Sequence, residues 1–258
     1  MELGLKDKRV LITGSSKGIG LSIGEGFLNE GAKVMLTSRR LLALKEIQSR
    51  LCDRFPSENI LVFECDFTDP VEIENLREHI IQMWGGLDIL VANVGSGKSA
   101  SDTVPPKEHF DNVFRQNFDV AVNAVREILP LIKESKGNIL FISSIAGIEA
   151  FGVPVDYSVA KTAVLSFSKN IARKLARDEV RVNCIAPGNV YFAGGSWDEK
   201  IKADPEKIRT LIESTVPMNR FGTPKEIADA VLFICSERAS FITGVCLVVD
   251  GGQTVGIL

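Results

Sequence analysis

Short apolar runs alternate with longer amphipathic stretches along almost the whole chain, and this alternation is the strongest constraint on its fold. The runs are rich in Val, Ile and Leu and are bounded by Gly, Asp or Asn, which is typical of strands buried on both faces. Seven such strands are predicted, at Lys8–Thr13, Lys33–Ser38, Ile60–Glu64, Leu87–Ala92, Asn138–Ser143, Val180–Ile185 and Cys246–Val249.

The stretches between these runs carry helix signals. Asp69-Pro70-Val71-Glu72 and Thr223-Pro224-Lys225-Glu226 each offer an N-cap oxygen, a Pro at the first helical position and a Glu placed to bond back. Strands that alternate with helices run parallel and are joined by right-handed crossovers. The sequence therefore predicts one Rossmann-like α/β domain over residues 1–258, a doubly wound parallel sheet of about seven strands with helices on both faces.

Composition narrows the function classes. The 258 residues are 45% hydrophobic with a net charge of −3, and charges of one sign form no long run, so we expect no nucleic acid and no membrane surface as a partner. Five scattered cysteines and a charged N-terminus favour a reduced, cytoplasmic protein. The only two histidines, His79 and His109, lie on helix-like segments far from any set of Cys or carboxylate ligands and are expected at the surface, so no metal site is expected.

One segment interrupts the alternation. Residues 186–217 contain no clear strand, but they are rich in Gly and Pro and include Tyr191, Phe192 and Trp197, which look exposed. Ligands of doubly wound sheets bind beyond the carboxyl ends of the strands, and this segment follows such an end. We expect residues 186–217 to form a substrate lid.

A glycine-rich loop follows the first strand. Thr13–Gly20 reads TGSSKGIG and leads into a helix, whose unpaired N–H groups and dipole favour an anion. The alternative is that the glycines serve only a tight strand-to-helix turn. In this context the loop predicts a dinucleotide site with contacts from Gly14, Ser16, Lys17, Gly18, Ile19 and Gly20.

Charge at the end of the second strand indicates which dinucleotide is bound. NAD sites usually place a carboxylate there, whereas this chain has Ser38-Arg39-Arg40. Arg39 is suited to a 2′-phosphate and Lys17 would add a second charge, although a solvated basic turn is the alternative. The pattern favours NADP(H) over NAD(H).

Tyr157 and Lys161 form the candidate catalytic pair. They are four residues apart on a predicted helix and so share a face. An ammonium beside a phenol stabilises the phenolate, which suits the phenol for acid–base work near neutral pH. Ser144 ends a predicted strand at the carboxyl edge of the sheet, where its hydroxyl could donate to a substrate oxygen.

Together these motifs resemble the short-chain dehydrogenase/reductase family over essentially the whole chain. The resemblance implies that Tyr157 is the general acid or base, that Lys161 lowers its pKa and binds the nicotinamide ribose, that Ser144 polarises the substrate carbonyl and that Asn117 holds a relay water. The cofactor contacts that it adds are Ser38, Arg39, Asp66, Phe67, Asn93, Gly95, Pro187, Gly188 and Val190. For Asp66 a capping role is the alternative, and for Asn93 a simple turn.

Two departures from the family pattern stand out. Ala92-Asn93-Val94-Gly95 replaces the usual Asn-Asn-Ala-Gly, and Phe192 stands where the family has the Thr that bonds the nicotinamide carboxamide. The carboxamide must therefore be held by backbone groups or another side chain.

The resulting functional prediction is hydride transfer between NADP(H) and a carbonyl or secondary alcohol. The overall pattern is similar to 3-oxoacyl-[acyl-carrier-protein] reductases. The unusual residues Phe192 and Trp197 leave a sugar or polyol oxidoreductase as the alternative. Phe192 and Trp197 are both expected near the substrate, together with Ser144 and Tyr157. A dinucleotide-sensing protein without catalysis is the alternative of another class. The resemblance also implies a homotetramer or dimer, with the apolar C-terminal residues packed on a neighbouring subunit.

Overall fold

A computed structural model describes residues 2–97, 99 and 102–256. It contains seven strands, β1 Arg9–Ile12, β2 Lys33–Ser38, β3 Ile60–Glu64, β4 Ile89–Ala92, β5 Asn138–Ile142, β6 Arg181–Pro187 and β7 Cys246–Val249. The α-helices are α1 Gly18–Asn29, α2 Leu41–Cys52, α3 Pro70–Trp84, α4 Lys107–Phe114, α5 Val120–Ser135, α6 Val155–Leu175, α7 Ser196–Ala203, α8 Pro205–Thr215 and α9 Pro224–Cys235.

The seven strands form a single parallel sheet in the order β3-β2-β1-β4-β5-β6-β7. β1 pairs with β2 on one side and with β4 on the other, so the chain reverses its direction of travel across the sheet at β1. A crevice opens at the carboxyl edge where such a reversal occurs. The predicted fold class is confirmed, and the strand order places the glycine-rich loop beside the segment that follows β4.

Alternation of side chains along each strand builds two hydrophobic layers. Val10 and Ile12 of β1 pack against α1, α2 and α9, whereas Leu11 between them packs on the opposite face against α3, α5 and α6. Every strand in the centre of a doubly wound sheet is covered on both faces, which is why its residues are apolar without interruption.

The starts of two helices test the N-cap signals that the sequence predicted. Thr223 forms the expected capping box with Glu226 at the start of α9. Asp69 caps α3 through the N–H of Val71, but Glu72 accepts from the N–H of Asp66 and not from that of Asp69. The prediction for Glu72 was wrong because the turn after β3 brings another free N–H within its reach.

The segment 186–217 is more regular than the sequence suggested. β6 continues to Pro187, and the helices α7 and α8 occupy most of the remainder. Tyr191 is exposed, but Phe192 and Trp197 are half-buried. Among the described residues, no helix is long and apolar enough to cross a bilayer.

Candidate active site

Asn93 fixes the glycine-rich loop against the end of β4. Its amide Nδ2 donates to the carbonyl oxygens of Thr13 and Gly14, both at 3.0 Å, while the Thr13 hydroxyl accepts from the N–H groups of Asn93 and Val94. The loop is therefore held in place by hydrogen bonds to the residues that follow β4. These bonds fit the alternative role of Asn93 as a structural residue at the end of the strand, because its side chain bonds protein backbone.

The loop has the shape of an anion cradle. Gly14 and Gly18 have φ angles of +64° and +57°, and a Cβ on Gly20 would lie 2.5 Å from the Asn93 amide. No described side chain caps the start of α1 at Lys17, so the first N–H groups of that helix remain available. Ser16 and Ile19 lie in the same turn, which fits a pyrophosphate at this helix N-terminus.

Phe192 contacts this cradle directly. A Cβ on Gly18 would lie 2.6 Å from the Phe192 ring, and a Cβ on Gly195 would lie 2.9 Å from the same ring. The neighbouring Lys17 donates from Nζ to the Gly194 carbonyl at 2.9 Å. Segment 186–217 therefore rests on the glycine-rich loop through Phe192 and Lys17.

Substituting Gly18 tests the cradle. We expect Gly18→Ala to weaken NADPH binding about tenfold or more, because the added methyl both strains a positive φ and enters the space of Phe192. The measurement is fluorescence titration with NADPH. Gly85→Ala, at φ +70° with open space around it, is the matched control and should leave binding unchanged. Equal binding by wild type and Gly18→Ala would contradict the cradle.

The basic group at the end of β2 lies beside the carboxylate at the end of β3. Nη1 of Arg39 is 3.9 Å from Oδ2 of Asp66, and the Arg39 side chain is mostly exposed. Asp66 also caps its own turn by accepting from the N–H and hydroxyl of Thr68. Ser38 accepts from the N–H of Arg40. The Phe67 ring is buried in the core, so Phe67 can contact a cofactor only through its backbone.

Tyr157, Ser144 and Lys161 come together at the ends of β5 and α6. Ser144 accepts from the N–H of Ala146, which leaves its hydroxyl proton free to bond the Tyr157 phenol. Nζ of Lys161 lies 5.8 Å from the centroid of the Tyr157 ring. α6 packs tightly here, since a Cβ on Gly147 would lie 2.7 Å from the Lys161 backbone. The structure thus brings together three of the four side chains that the sequence assigned to catalysis, and Asn117 is the fourth.

Burial shifts the two titratable groups of this trio in opposite directions. Loss of water around the phenol raises the pKa of Tyr157, and the hydrogen bond from Ser144 acts against that rise. Burial lowers the pKa of Lys161 to about 8, and its ammonium donates to the Ile142 carbonyl at 3.2 Å. Burial has the largest effect on each group, and the expected effect of Lys161 on the acidity of the Tyr157 phenol stays a prediction.

Lys161 should therefore reduce stability at neutral pH. Its folded pKa of about 8 is below the ordinary 10.5, so the folded state carries a penalty below pH 8 that disappears as pH rises from 8 to 10.5. We expect Lys161→Met to be about 2 kcal/mol more stable than wild type at pH 7, with most of that difference gone at pH 10. Urea unfolding of both proteins at pH 7 and pH 10 measures the difference in free energy of unfolding. A difference at pH 7 that is no larger than the difference at pH 10 would contradict the lowered pKa of Lys161.

Asn117 approaches Lys161 through a local widening of the helix between α4 and α5. Residues Arg115–Asp119 form a π-helical turn, a feature often found at functional sites. Asn117 is 1% exposed; its Oδ1 accepts from the N–H of Ser96, and its Nδ2 donates to the carbonyls of Ser96 and Val113. A Cβ on Gly95 would lie about equally close to Oδ1 of Asn117 and Nζ of Lys161, so these two groups flank Gly95.

His109 lies beside a carboxylate that the sequence analysis did not identify as its neighbour. Its Nε2 is 3.3 Å from Oδ2 of Asp156, which is fully buried at the first turn of α6 and whose Oδ1 accepts from the N–H of Tyr157. His79 packs against the Phe63 ring. The sequence could not reveal this pair, since α4 and α6 are distant in sequence. No group of three His, Cys, Asp or Glu residues suited to a metal ion occurs in the described part of the chain.

Segment 186–217 has its own internal network, which the sequence did not reveal. Asp198 accepts from the Tyr191 hydroxyl, the Gly194 N–H and the Lys202 ammonium. These bonds hold the pKa of Asp198 at about 2. Trp197 packs against Phe221, just beyond the segment, with the two ring centroids 5.3 Å apart, and its contact with substrate stays a prediction. The four-residue spacing of Asp198 and Lys202, which favours an ion pair on a helix, was the sequence signal that could have revealed part of this network.

Backbone contacts attach this segment to the edge of the sheet. Gly188 allows close approach to Asp250, because a Cβ there would lie 2.7 Å from that residue, and Pro187 ends β6. Val190 is buried and bridges to Gly222. Glu149, also missed in the sequence, accepts from the N–H groups of Val255 and Gly256. The C-terminal residues that the structure describes are thus attached to their own chain.

Comparison with known proteins agrees with this geometry. Residues 14–254 match the family described as Enoyl-(Acyl carrier protein) reductase. A tropinone reductase homolog of Arabidopsis thaliana is 35% identical over 97% of this chain and 92% of that protein. A 3-oxoacyl-[acyl-carrier-protein] reductase of Thermotoga maritima is 31% identical over 97% of this chain and 99% of that protein.

A solved structure shows the same likeness in three dimensions. The L-sorbose reductase of Gluconobacter frateurii, complexed with NADPH and L-sorbose, superposes with a TM-score of 0.92 at 32% identity and covers 99% of this chain and 100% of that one. Sequence, strand order and site geometry agree on one assignment. The chain belongs to the short-chain dehydrogenase/reductase family of oxidoreductases.

Proposed function

We propose that this protein reduces a ketone to a secondary alcohol with NADPH, using Tyr157 as the general acid. The observation that carries the proposal is the contact among three side chains, in which Ser144 bonds the Tyr157 phenol and Lys161 lies beside its ring. Because the pKa of Tyr157 is raised, the phenol is protonated at neutral pH and ready to donate.

The residues at the carboxyl edge fit a phosphorylated dinucleotide. The uncapped start of α1 would bind the pyrophosphate, and Arg39, with Lys17 as a second charge, would bind a 2′-phosphate. When bound, NADPH supplies the hydride. The L-sorbose reductase with NADPH supports this choice, and we propose that NADP(H) is preferred over NAD(H).

Each side chain then has a defined task. The hydroxyl of Ser144 would turn its one proton from the Tyr157 phenol to the substrate oxygen and so orient the carbonyl. Tyr157 passes its phenolic proton to that oxygen as negative charge develops there. The Lys161 ammonium stabilises the resulting phenolate and binds the nicotinamide ribose. Asn117, flanking Gly95 with Lys161, holds the water that returns a proton to the site.

Two substrate classes have specific support. A 3-oxoacyl thioester is our first proposal, on the likeness to the Thermotoga maritima enzyme, and a keto-sugar is the second, on the likeness to L-sorbose reductase. Segment 186–217 would act as the lid over either substrate, with Phe192 against the cofactor loop and Trp197 near the entrance. We further propose a cytoplasmic homotetramer or dimer, which a solution mass would test.

A substrate panel distinguishes the two classes. Purified protein is assayed for NADPH oxidation with acetoacetyl thioesters and with keto-sugars, and NADH is run in parallel. Higher kcat/KM for a thioester supports the first class, and turnover with sugars alone assigns the second. Oxidation of neither, despite NADPH binding, would contradict the proposed function and leave a dinucleotide-sensing protein.

A further inference from the structure

Two cysteines face each other on neighbouring strands near the candidate active site. β6 and β7 run parallel, and their register places Cys184 directly opposite Cys246. The backbone holds this register, since the N–H of Cys184 donates to the Val245 carbonyl at 2.9 Å. Side chains at paired positions of neighbouring strands project to the same face, and paired Cα atoms lie at a separation that a disulfide can span.

The two thiols differ in access. Cys184 is buried in the hydrophobic layer that contacts α6, whereas Cys246 is exposed. The thiols are hydrogen-bonded to each other, which lowers the pKa of Cys246 and raises that of Cys184. Cys246 is therefore the more nucleophilic of the two and the one that solvent reaches. Cys65 and Cys235, by contrast, are buried with pKa values raised to about 12.

We propose that Cys184 and Cys246 form a redox-active dithiol that a hydroperoxide converts to an intramolecular disulfide. The Cys246 thiolate attacks an oxygen of hydrogen peroxide, so that an S–O bond forms as the O–O bond breaks and Cys246 becomes a sulfenic acid. The leaving hydroxide takes up the proton that the Cys246 thiol lost on ionisation, which gives one water. The Cys184 sulfur then attacks the Cys246 sulfur; the S–S bond forms, and the hydroxyl leaves with the Cys184 proton as a second water. In total two thiols are oxidised and one hydrogen peroxide is reduced to two waters.

The two cysteines lie close to the catalytic residues, on the strands that support segment 186–217. Cys184 lies within electrostatic range of Lys161. Further along the same strands, β6 ends at Pro187 at the start of segment 186–217, and β7 leads to Asp250, which packs against Gly188. A disulfide would join the two strands that support this segment, directly under the helix that carries Tyr157.

Treatment of the purified protein with hydrogen peroxide, followed by peptide mass spectrometry without reduction, tests the proposal. We expect two fewer titratable thiols and a linked peptide containing Cys184 and Cys246 that dithiothreitol separates. Cys246→Ser should abolish the link. Cys52→Ser is the matched control, since Cys52 is exposed on α2, and should form the link as wild type does.

Two results would overturn the proposal. One is oxidation of Cys246 to sulfinic acid while Cys184 remains open to alkylation after unfolding. The other is a link only between two chains, seen as a dimer on a non-reducing gel. Because the readout is a covalent bond and not turnover, its outcome is independent of the proposed function.

Discussion

Replacing Tyr157 by Phe should lower kcat by about a thousandfold or more while the dissociation constant of NADPH changes less than about threefold. The substitution removes only the phenolic oxygen, which is the proton donor to the substrate and the partner of Ser144. The ring remains to pack near Lys161, so the cofactor should bind as before. Single-turnover kinetics and NADPH fluorescence measure the two quantities separately.

The second tyrosine of the chain provides a matched control. Tyr191 donates its hydroxyl to Asp198 within segment 186–217 and does not contact Ser144 in the described structure. Tyr191→Phe should therefore change kcat less than about threefold. Comparable loss in both variants, or activity retained in Tyr157→Phe, would show that Tyr157 is not the acid.

The second large effect concerns cofactor choice. Arg39→Asp should reduce the ratio of kcat/KM for NADPH to kcat/KM for NADH about a hundredfold, because a carboxylate repels a 2′-phosphate and can accept from a 2′-hydroxyl. The change also places a carboxylate beside that of Asp66, which lies 3.9 Å from the present guanidinium. Parallel Michaelis–Menten measurements with both cofactors give the ratio.

Arg40 serves as the control for Arg39. It is equally exposed and adjacent in sequence, but it stands at the start of α2. Arg40→Asp adds the same charge close by, so a general electrostatic effect would appear in both variants. A shift confined to Arg39→Asp supports specific contact with the phosphate, and an unchanged ratio in Arg39→Asp would refute it.

The sheet could be predicted from the sequence because its signal is local. Each buried strand is an apolar run such as Val34–Leu36, and each crossover has a start signal such as Thr223-Pro224. Asp204-Pro205 carries the same signal for α8, and Asp204 indeed caps that helix, so this part of the segment was open to prediction. It was missed because glycines and prolines nearby favoured an irregular loop.

The remaining features depend on contacts between residues far apart in sequence. Whether Lys161 is buried depends on β5 and the turn after it, and that burial shifts its pKa. The approach of His109 to Asp156 depends on how α4 packs on α6. Phe192 could be identified as a departure from the family, but its contact with Gly18 follows only from the position of segment 186–217.

Isotope transfer tests the central claim most directly. NADPH that carries deuterium at both positions of C4 is incubated with the protein and the ketone that gives the highest turnover, and the product is examined by mass spectrometry. The account predicts one deuterium on the carbinol carbon of the alcohol and one deuterium retained on the NADP⁺. No reduction of any ketone, or an alcohol whose carbinol carbon carries no label, would contradict direct hydride transfer at this site.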